Sequence, residues 1–147
     1  MSQVELHAER IRQEMWKDVD LFLEEFYPQG CEAGRELHRA DMEMTQIRGL
    51  ESLIVSTRRF SEVINYIKNQ AGKGTSKSKK WRQVAKRLLD QLGSLEAKGA
   101  ELGGDNPALV LEAKLRLVRG WGKQVVTHYL FEPVSYTHLT LPTNREV

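Results

Sequence analysis

The chain of 147 residues has the length of one domain and can close a hydrophobic core without disulfides or bound metal. Charged residues make up 29% of it and hydrophobic residues 40%, which excludes the composition of a disordered protein. The single cysteine, Cys31, excludes an internal disulfide and has no cysteine or histidine at metal-ligand spacing. We therefore predict a single domain over residues 1–132, and the absence of a disulfide framework makes a cytoplasmic location the expectation.

The sequence predicts neither a membrane span nor a secretion signal, because apolar runs are short and residues 1–12 are polar and mixed in charge. The charge is unevenly distributed. From Lys68 to Arg87 there are eight basic residues and no acidic one, whereas from Met1 to Leu37 there are nine acidic and four basic residues. Subtracting the central eight from the net charge of +2 leaves −6 for the rest of the chain. One surface is therefore expected to attract phosphate and another to repel it.

Apolar residues at three- and four-residue steps predict a first helix over Gln3–Phe26, with Met15 and Val19 on its buried face. Pro28 and Gly30 end this pattern. Residues 31–39 are too few and too polar to be assigned to a helix or to a loop.

The second helix has the clearest signal, because apolar and small residues hold one seam from Ile47 to Ile67. Thr45 is its predicted N-cap, and a start near Asp41 fits the pattern as well. The next segment, 71–80, reads AGKGTSKSKK and has no apolar residue beyond its first. It is predicted to be an exposed basic loop.

Two more helices are predicted after this loop. The third runs from Trp81 to Leu95 and is closed by the glycines of 99–104. The fourth starts from Asp105 and Asn106 with Pro107 in its first turn, where proline forfeits no helical hydrogen bond. No segment before residue 133 shows the alternation of apolar and polar residues that is typical of a strand. The predicted fold class is therefore all-α, an antiparallel bundle of four main helices with the basic loop between the second and third.

The last residues, 133–147, read PVSYTHLTLPTNREV and break the helical periodicity. This string resembles the translated read-through of a sequencing adapter, so we interpret it as a foreign or disordered tail. A natural extended tail is the alternative. On either interpretation, the native C-terminus beyond about Glu132 is not defined by this sequence.

The sequence contains no convincing catalytic or metal motif. A phosphate-binding loop around Lys73 fails because Ile67 stands where the motif requires glycine and Gly74 where it requires serine or threonine. The histidines are scattered rather than spaced as ligands. Paired acids such as Glu24 and Glu25 are typical of a solvated helix surface. We therefore expect no enzyme, no metal and no cofactor.

The basic stretch is the candidate binding site, because loop lysines lead directly into a basic helical turn. Phosphate contacts need only positive charge, since they are electrostatic and indifferent to sequence. A basic line on the fourth helix extends this track if it faces the same way. Trp81 is interpreted as core rather than as a platform for stacking bases. The predicted nucleic-acid-binding residues are Lys73, Lys77, Lys79, Lys80, Arg82, Lys86, Arg87, Arg116, Arg119 and Lys123.

The segment Met44-Thr45-Gln46-Ile47-Arg48-Gly49-Leu50 resembles the T-x-Q-I-R opening of a helix in the small α-helical subunit of type III CRISPR effector complexes. Size, helical content and basic patch are also similar, and the resemblance covers about a quarter of the chain. It implies a five- or six-helix bundle that stacks in several copies along a filament of backbone subunits. It also implies contact with the guide–target duplex without cleavage, and a packing role for Gln46, Ile47 and Arg48.

Two functions of different class are left open by the sequence. The first is a non-catalytic, nucleic-acid-associated subunit of a CRISPR-type antiviral effector, whose partners are RNA, other protein subunits and copies of itself. The acidic first helix and the basic middle would favour head-to-tail contacts between such copies. The second is a helical protein-protein interaction adaptor or regulator, in which the lysine loop is only a soluble connector.

Overall fold

The computed structural model describes residues 2–131, which form six helices and no strand. This confirms the predicted all-α class, while the predicted tail, 133–147, lies outside the described residues. Among residues 2–131, no helix combines the length and the apolarity that a membrane span needs. The helices are α1 (Gln3–Glu25), α2 (Tyr27–Arg39), α3 (Met44–Ser56), α4 (Phe60–Gly72), α5 (Ser76–Gly103) and α6 (Pro107–Phe131).

The first departure from the predicted four helices is α2, which occupies residues that the sequence left unassigned. Its buried side includes the small residues Gly30, Cys31, Ala33 and Gly34, so it lacks the large apolar stripe that signals a helix. A Cβ atom on Gly34 would lie only 2.5 Å from the Val125 carbonyl oxygen. The small residues therefore allow α2 to approach the backbone of α6.

The second departure is a break in the predicted second helix, which is two helices, α3 and α4. Thr57, on the predicted seam, is extended (φ −70°, ψ 149°), and its side-chain oxygen accepts a 3.1 Å hydrogen bond from the Arg59 backbone N–H. The Thr57 hydroxyl donates to the Glu62 carboxylate in the first turn of α4. The threonine side chain can thus provide hydrogen bonds to backbone groups where the helix stops. Apolar periodicity does not reveal such a break.

The third departure is the start of α5, which begins at Ser76 rather than at Trp81. The side chain of Thr75 caps the helix, and the connection from α4 is reduced to the three residues 73–75. Gly74 has a φ of 75° in this connection, a conformation that favours glycine. Three lysines predicted to lie in a loop therefore lie on the first turns of α5: Lys77, Lys79 and Lys80.

α6 is the centre of the fold and contacts each of the other five helices. α5 runs antiparallel to it, since Gly99 lies against Lys114 and Gly103 against Val110. α1 runs in the same direction as α6, because Arg12 pairs with Glu112 and Leu23 lies against Gly120. The arrangement is therefore not the wholly antiparallel bundle that short connections predicted, since α1 and α6 are not neighbours in sequence.

One hydrophobic cluster connects all six helices. Trp81 and Trp121 are its largest fully buried side chains. Burial of each large apolar side chain stabilises the fold by about 1.5–3 kcal/mol. The core therefore fixes the surfaces of α5 and α6 that carry the predicted site residues. Other members include Val19, Leu37, Ile47, Leu50, Val63, Ile67, Leu88, Leu92, Leu95 and Leu117.

Candidate nucleic-acid interface

Three exposed cations without a carboxylate partner among the described residues form a group that we call the basic turn: Lys73, Lys79 and Arg82. Lys73 lies in the connection after α4, and Lys79 and Arg82 are three residues apart on α5. Arg82 Nη1 donates to the Ala71 carbonyl oxygen at 3.0 Å. This bond holds the guanidinium at the end of α4, two residues before Lys73. The basic turn thus presents three positive charges to solvent.

The other four predicted cations of this region each have an acidic partner. The pairs are Lys77–Glu43 (3.6 Å), Lys80–Asp41 (3.8 Å), Lys86–Asp90 (2.8 Å) and Arg87–Glu36. The carboxylates belong to α2, to the connection between α2 and α3, and to α5 itself. None of these partners comes from the acidic α1. Pairs at the surface contribute little stability, but they lower the positive potential on the side of α5 that faces α2.

Trp81 is buried in the core and is not available for stacking on a base, as the sequence interpretation held. Its ring lies edge-on to that of Tyr66, with the centroids 6.0 Å apart. Burial raises the pKa of the Tyr66 hydroxyl. The Trp81 Nε1 is buried without a hydrogen-bond acceptor among the described residues. The basic turn therefore carries positive charge, but Trp81 adds no exposed aromatic ring on which a base could stack.

Arg116, Arg119 and Lys123 do not continue the basic turn. α5 packs on the side of α6 that carries Val110 and Lys114, and these three cations lie about half a turn around α6 from that side. They line a groove against α1 instead. The structure therefore separates the two groups of cations, and the condition under which they would form one track, that both face the same way, is not met.

The segment that carries the family resemblance begins α3. The N-cap is Glu43 rather than the predicted Thr45, and the Gln46 side-chain oxygen accepts a 3.2 Å hydrogen bond from the Glu43 backbone N–H. Ile47 is fully buried, and Arg48 pairs with Glu51 at 2.7 Å on the surface. Gln46 thus takes part in the cap of α3 and Ile47 packs in the core, whereas Arg48 remains at the protein surface.

Within residues 2–131, no three Asp, Glu, His or Cys side chains come close enough to hold a metal ion. His128 of α6 instead approaches Tyr27 of α2, with its Nε2 2.9 Å from the phenolic oxygen. The interaction of Tyr27 with Cys31, one turn along α2, raises the pKa of the phenol. These contacts join α2 to α6 beside the buried Cys31.

Comparison with known proteins finds no family model, no curated protein and no solved structure that matches the chain. In the basic turn, three of the predicted site residues are exposed cations that have no carboxylate partner among residues 2–131.

Proposed function

We propose that the protein is a non-catalytic subunit of a multiprotein complex and contacts the backbone phosphates of RNA through the basic turn. The observation that carries the proposal is the exposure of Lys73, Lys79 and Arg82 side by side without a neutralising carboxylate. Phosphate contacts require positive charge at the surface and no base-specific geometry. The N-terminus of α5 adds to the potential, because helix N-termini carry a partial positive charge.

The proposal extends to the class of complex. We propose a role like that of the small helical subunit of type III CRISPR effectors, in the cytoplasm, with several copies stacked along backbone subunits. The support is the motif from Thr45 to Arg48 at the start of α3. Six helices also agree with the five- or six-helix bundle that the resemblance implies. In this role the basic turn would lie on the phosphates of the guide–target duplex.

A salt titration of RNA binding tests the proposal. Three phosphate contacts on single-stranded RNA predict that the logarithm of the binding constant falls with the logarithm of salt concentration with a slope of about −2. The double substitution Lys79→Glu and Arg82→Glu removes two contacts. It is expected to reduce the slope by about 1.4 and to weaken binding at low salt at least about tenfold.

The matched control makes the same change of net charge elsewhere, with Arg58→Glu and Lys98→Glu. Lys98 lies sixteen residues from Arg82 on α5, about 24 Å at the helical rise. This control is expected to retain most of the RNA affinity and the full salt slope, with circular dichroism showing that both variants fold. Equal losses in the two variants, or no change in slope, would rule out the basic turn as the contact.

A helical adaptor is the second candidate, and one observation favours it. Val4 and Ile11 of α1 are 78% and 42% exposed, although they continue at helical spacing the stripe that buries Met15 and Val19. Apolar side chains left in water on one helix face are typical of a protein contact. The same titration separates the functions, because an adaptor without a nucleic-acid role binds no RNA even at low salt.

A further inference from the structure

The groove between α1 and α6 has a volume of about 250 Å³ and separates the second group of cations from the basic turn. α1 and α6 meet closely at its floor, where a Cβ atom on Gly120 would overlap the Leu23 side chain. The lining residues are Val19, Asp20, Leu23, Arg116, Arg119, Gly120 and Lys123.

The charge of this groove is not neutralised by the described residues around it. Arg116, Arg119 and Lys123 have no carboxylate within ion-pair distance in residues 2–131, and Asp20 is the acidic member of the lining. Glu112, one turn before Arg116 on α6, accepts a 2.6 Å hydrogen bond from Trp16 Nε1 and pairs with Arg12. Three cations against one carboxylate leave a formal charge of +2 in the lining.

Both guanidinium groups are held in place before any ligand binds. The Arg116 guanidinium lies over the Trp16 ring, 4.3 Å from its centroid, an interaction that orients the charge without cancelling it. Arg119 Nη2 donates to the Thr57 carbonyl oxygen at 3.1 Å, and the buried Nε has no acceptor among the described residues. Partly desolvated charges are screened less by water, and an ordered side chain loses less entropy on binding.

We propose that this groove binds a dianionic phosphate group of a phosphomonoester. The formal charge of +2 matches a dianion, and the planar guanidinium groups of Arg116 and Arg119 suit paired hydrogen bonds to phosphate oxygens. The volume of about 250 Å³ is below the range of about 300–1,000 Å³ typical of pockets that enclose a whole ligand. The site therefore takes a phosphate group rather than an entire nucleotide.

Trp16 provides the readout, because Trp81 and Trp121 are buried whereas Trp16 is partly exposed and lies under Arg116. Titration with inorganic phosphate or adenosine monophosphate, at constant ionic strength against chloride, is expected to give a saturable change in tryptophan fluorescence. Isothermal titration calorimetry measures the same binding independently of the fluorescence signal.

The double variant Arg116→Gln and Arg119→Gln is expected to weaken phosphate binding more than about tenfold. Lys123→Gln removes an exposed charge but leaves the hydrogen bond that holds Arg119. The affinity for phosphate is expected to fall about two- to fivefold. Lys17→Gln on α1 is the matched control, since Lys17 is exposed and does not line the groove, and it is expected to bind phosphate normally.

Two sources of the phosphate are distinguished by single-stranded RNA of one sequence with either a 5′-phosphate or a 5′-hydroxyl. Tighter binding of the phosphorylated RNA, lost in the Arg116→Gln and Arg119→Gln variant, identifies an RNA end. Equal binding of both RNAs together with binding of adenosine monophosphate identifies a free phosphomonoester.

The proposal does not depend on the basic turn, so the Lys79→Glu and Arg82→Glu variant is expected to bind inorganic phosphate normally. Failure of this variant to bind RNA would leave the phosphate site intact. The site is overturned if neither phosphate nor adenosine monophosphate gives saturable binding by fluorescence and calorimetry. It is equally overturned if Lys123→Gln and the double arginine variant both bind as tightly as the unmodified protein.

Discussion

Trp121 of α6 donates its indole N–H to the side-chain oxygen of Gln91 on α5 at 2.7 Å. The Gln91 amide in turn donates to the Gln29 carbonyl oxygen on α2 at 2.9 Å. Both side chains are buried, and buried polar groups are stable in a core only when they are paired. This chain of two hydrogen bonds therefore connects three helices through the interior.

The two buried tryptophans are expected to respond differently to replacement by phenylalanine. Trp121→Phe leaves the Gln91 oxygen buried without its donor, whereas Trp81→Phe removes an N–H that has no acceptor among the described residues. Both changes lose packing volume. Urea denaturation is expected to show a free energy of unfolding about 1–3 kcal/mol lower for Trp121→Phe than for Trp81→Phe. Equal losses would mean that the hydrogen bond contributes nothing.

The contact between α2 and α6 is expected to tolerate no side chain at Gly34. In Gly34→Ala the new Cβ meets the Val125 carbonyl oxygen at 2.5 Å and the Tyr129 backbone nitrogen at 2.9 Å, so a loss of about 1–3 kcal/mol is expected. Gly93→Ala on α5 is the control, because its Cβ meets nothing within 4 Å. It is expected to raise stability by up to about 1 kcal/mol. Changes of the same sign in thermal unfolding would contradict the close packing.

The junction of α3 and α4 gives a pH-dependent contribution to stability. Hydrogen bonds from the Thr57 hydroxyl and the Arg59 guanidinium lower the pKa of Glu62 below its ordinary value of 4.5. A carboxyl group with a lowered pKa in the folded state stabilises the fold above pH 4.5, and this stabilisation is lost as the pH falls through the folded-state pKa.

Glu62→Gln is therefore expected to be less stable than the unmodified protein at pH 7, with a difference that shrinks below pH 4.5. Urea unfolding between pH 7 and pH 3 measures it. In a Thr57→Val background the same substitution is expected to have a smaller effect, because the main partner is gone. A difference that is constant with pH would show that Glu62 ionisation plays no part.

The start of α6 depends on Asn106, whose side-chain oxygen accepts hydrogen bonds from the Ala108 and Leu109 backbone N–H groups at 3.0 and 3.3 Å. Asn106→Ala is expected to lower the free energy of unfolding by about 0.5–2 kcal/mol, because it removes the cap. Asn106→Ser keeps a capping oxygen and is expected to retain most of the stability. Equal thermal midpoints for the two variants would exclude a capping role.

Local signals in the sequence were sufficient for the first helix and for the start of the last one. The apolar stripe of α1 predicted Gln3–Phe26, and the helix spans Gln3–Glu25. Asp105 and Asn106, with Pro107 in the first turn, predicted the start of α6, and the helix begins at Pro107. In both cases the deciding interactions join residues a few positions apart, so the pattern along the chain contains them.

The missed elements depend on features that apolar periodicity does not reveal. α2 is a helix whose small residues fit the backbone of α6, and Thr57 ends α3 within an uninterrupted apolar seam. In the same way, the sequence could not predict the groove at Arg116 and Arg119, because α1 and α6 meet only in the folded protein.

The pattern of residues along the chain was enough to predict a helical protein with positive charge concentrated between Lys68 and Arg87. Which of those cations lack a carboxylate partner depends on the fold, because Glu36, Asp41 and Glu43 pair with residues of α5 that lie more than thirty positions away in the sequence. Composition fixes the number of charges. An ion pair requires two groups within a few ångströms, so the fold alone determines where positive potential remains.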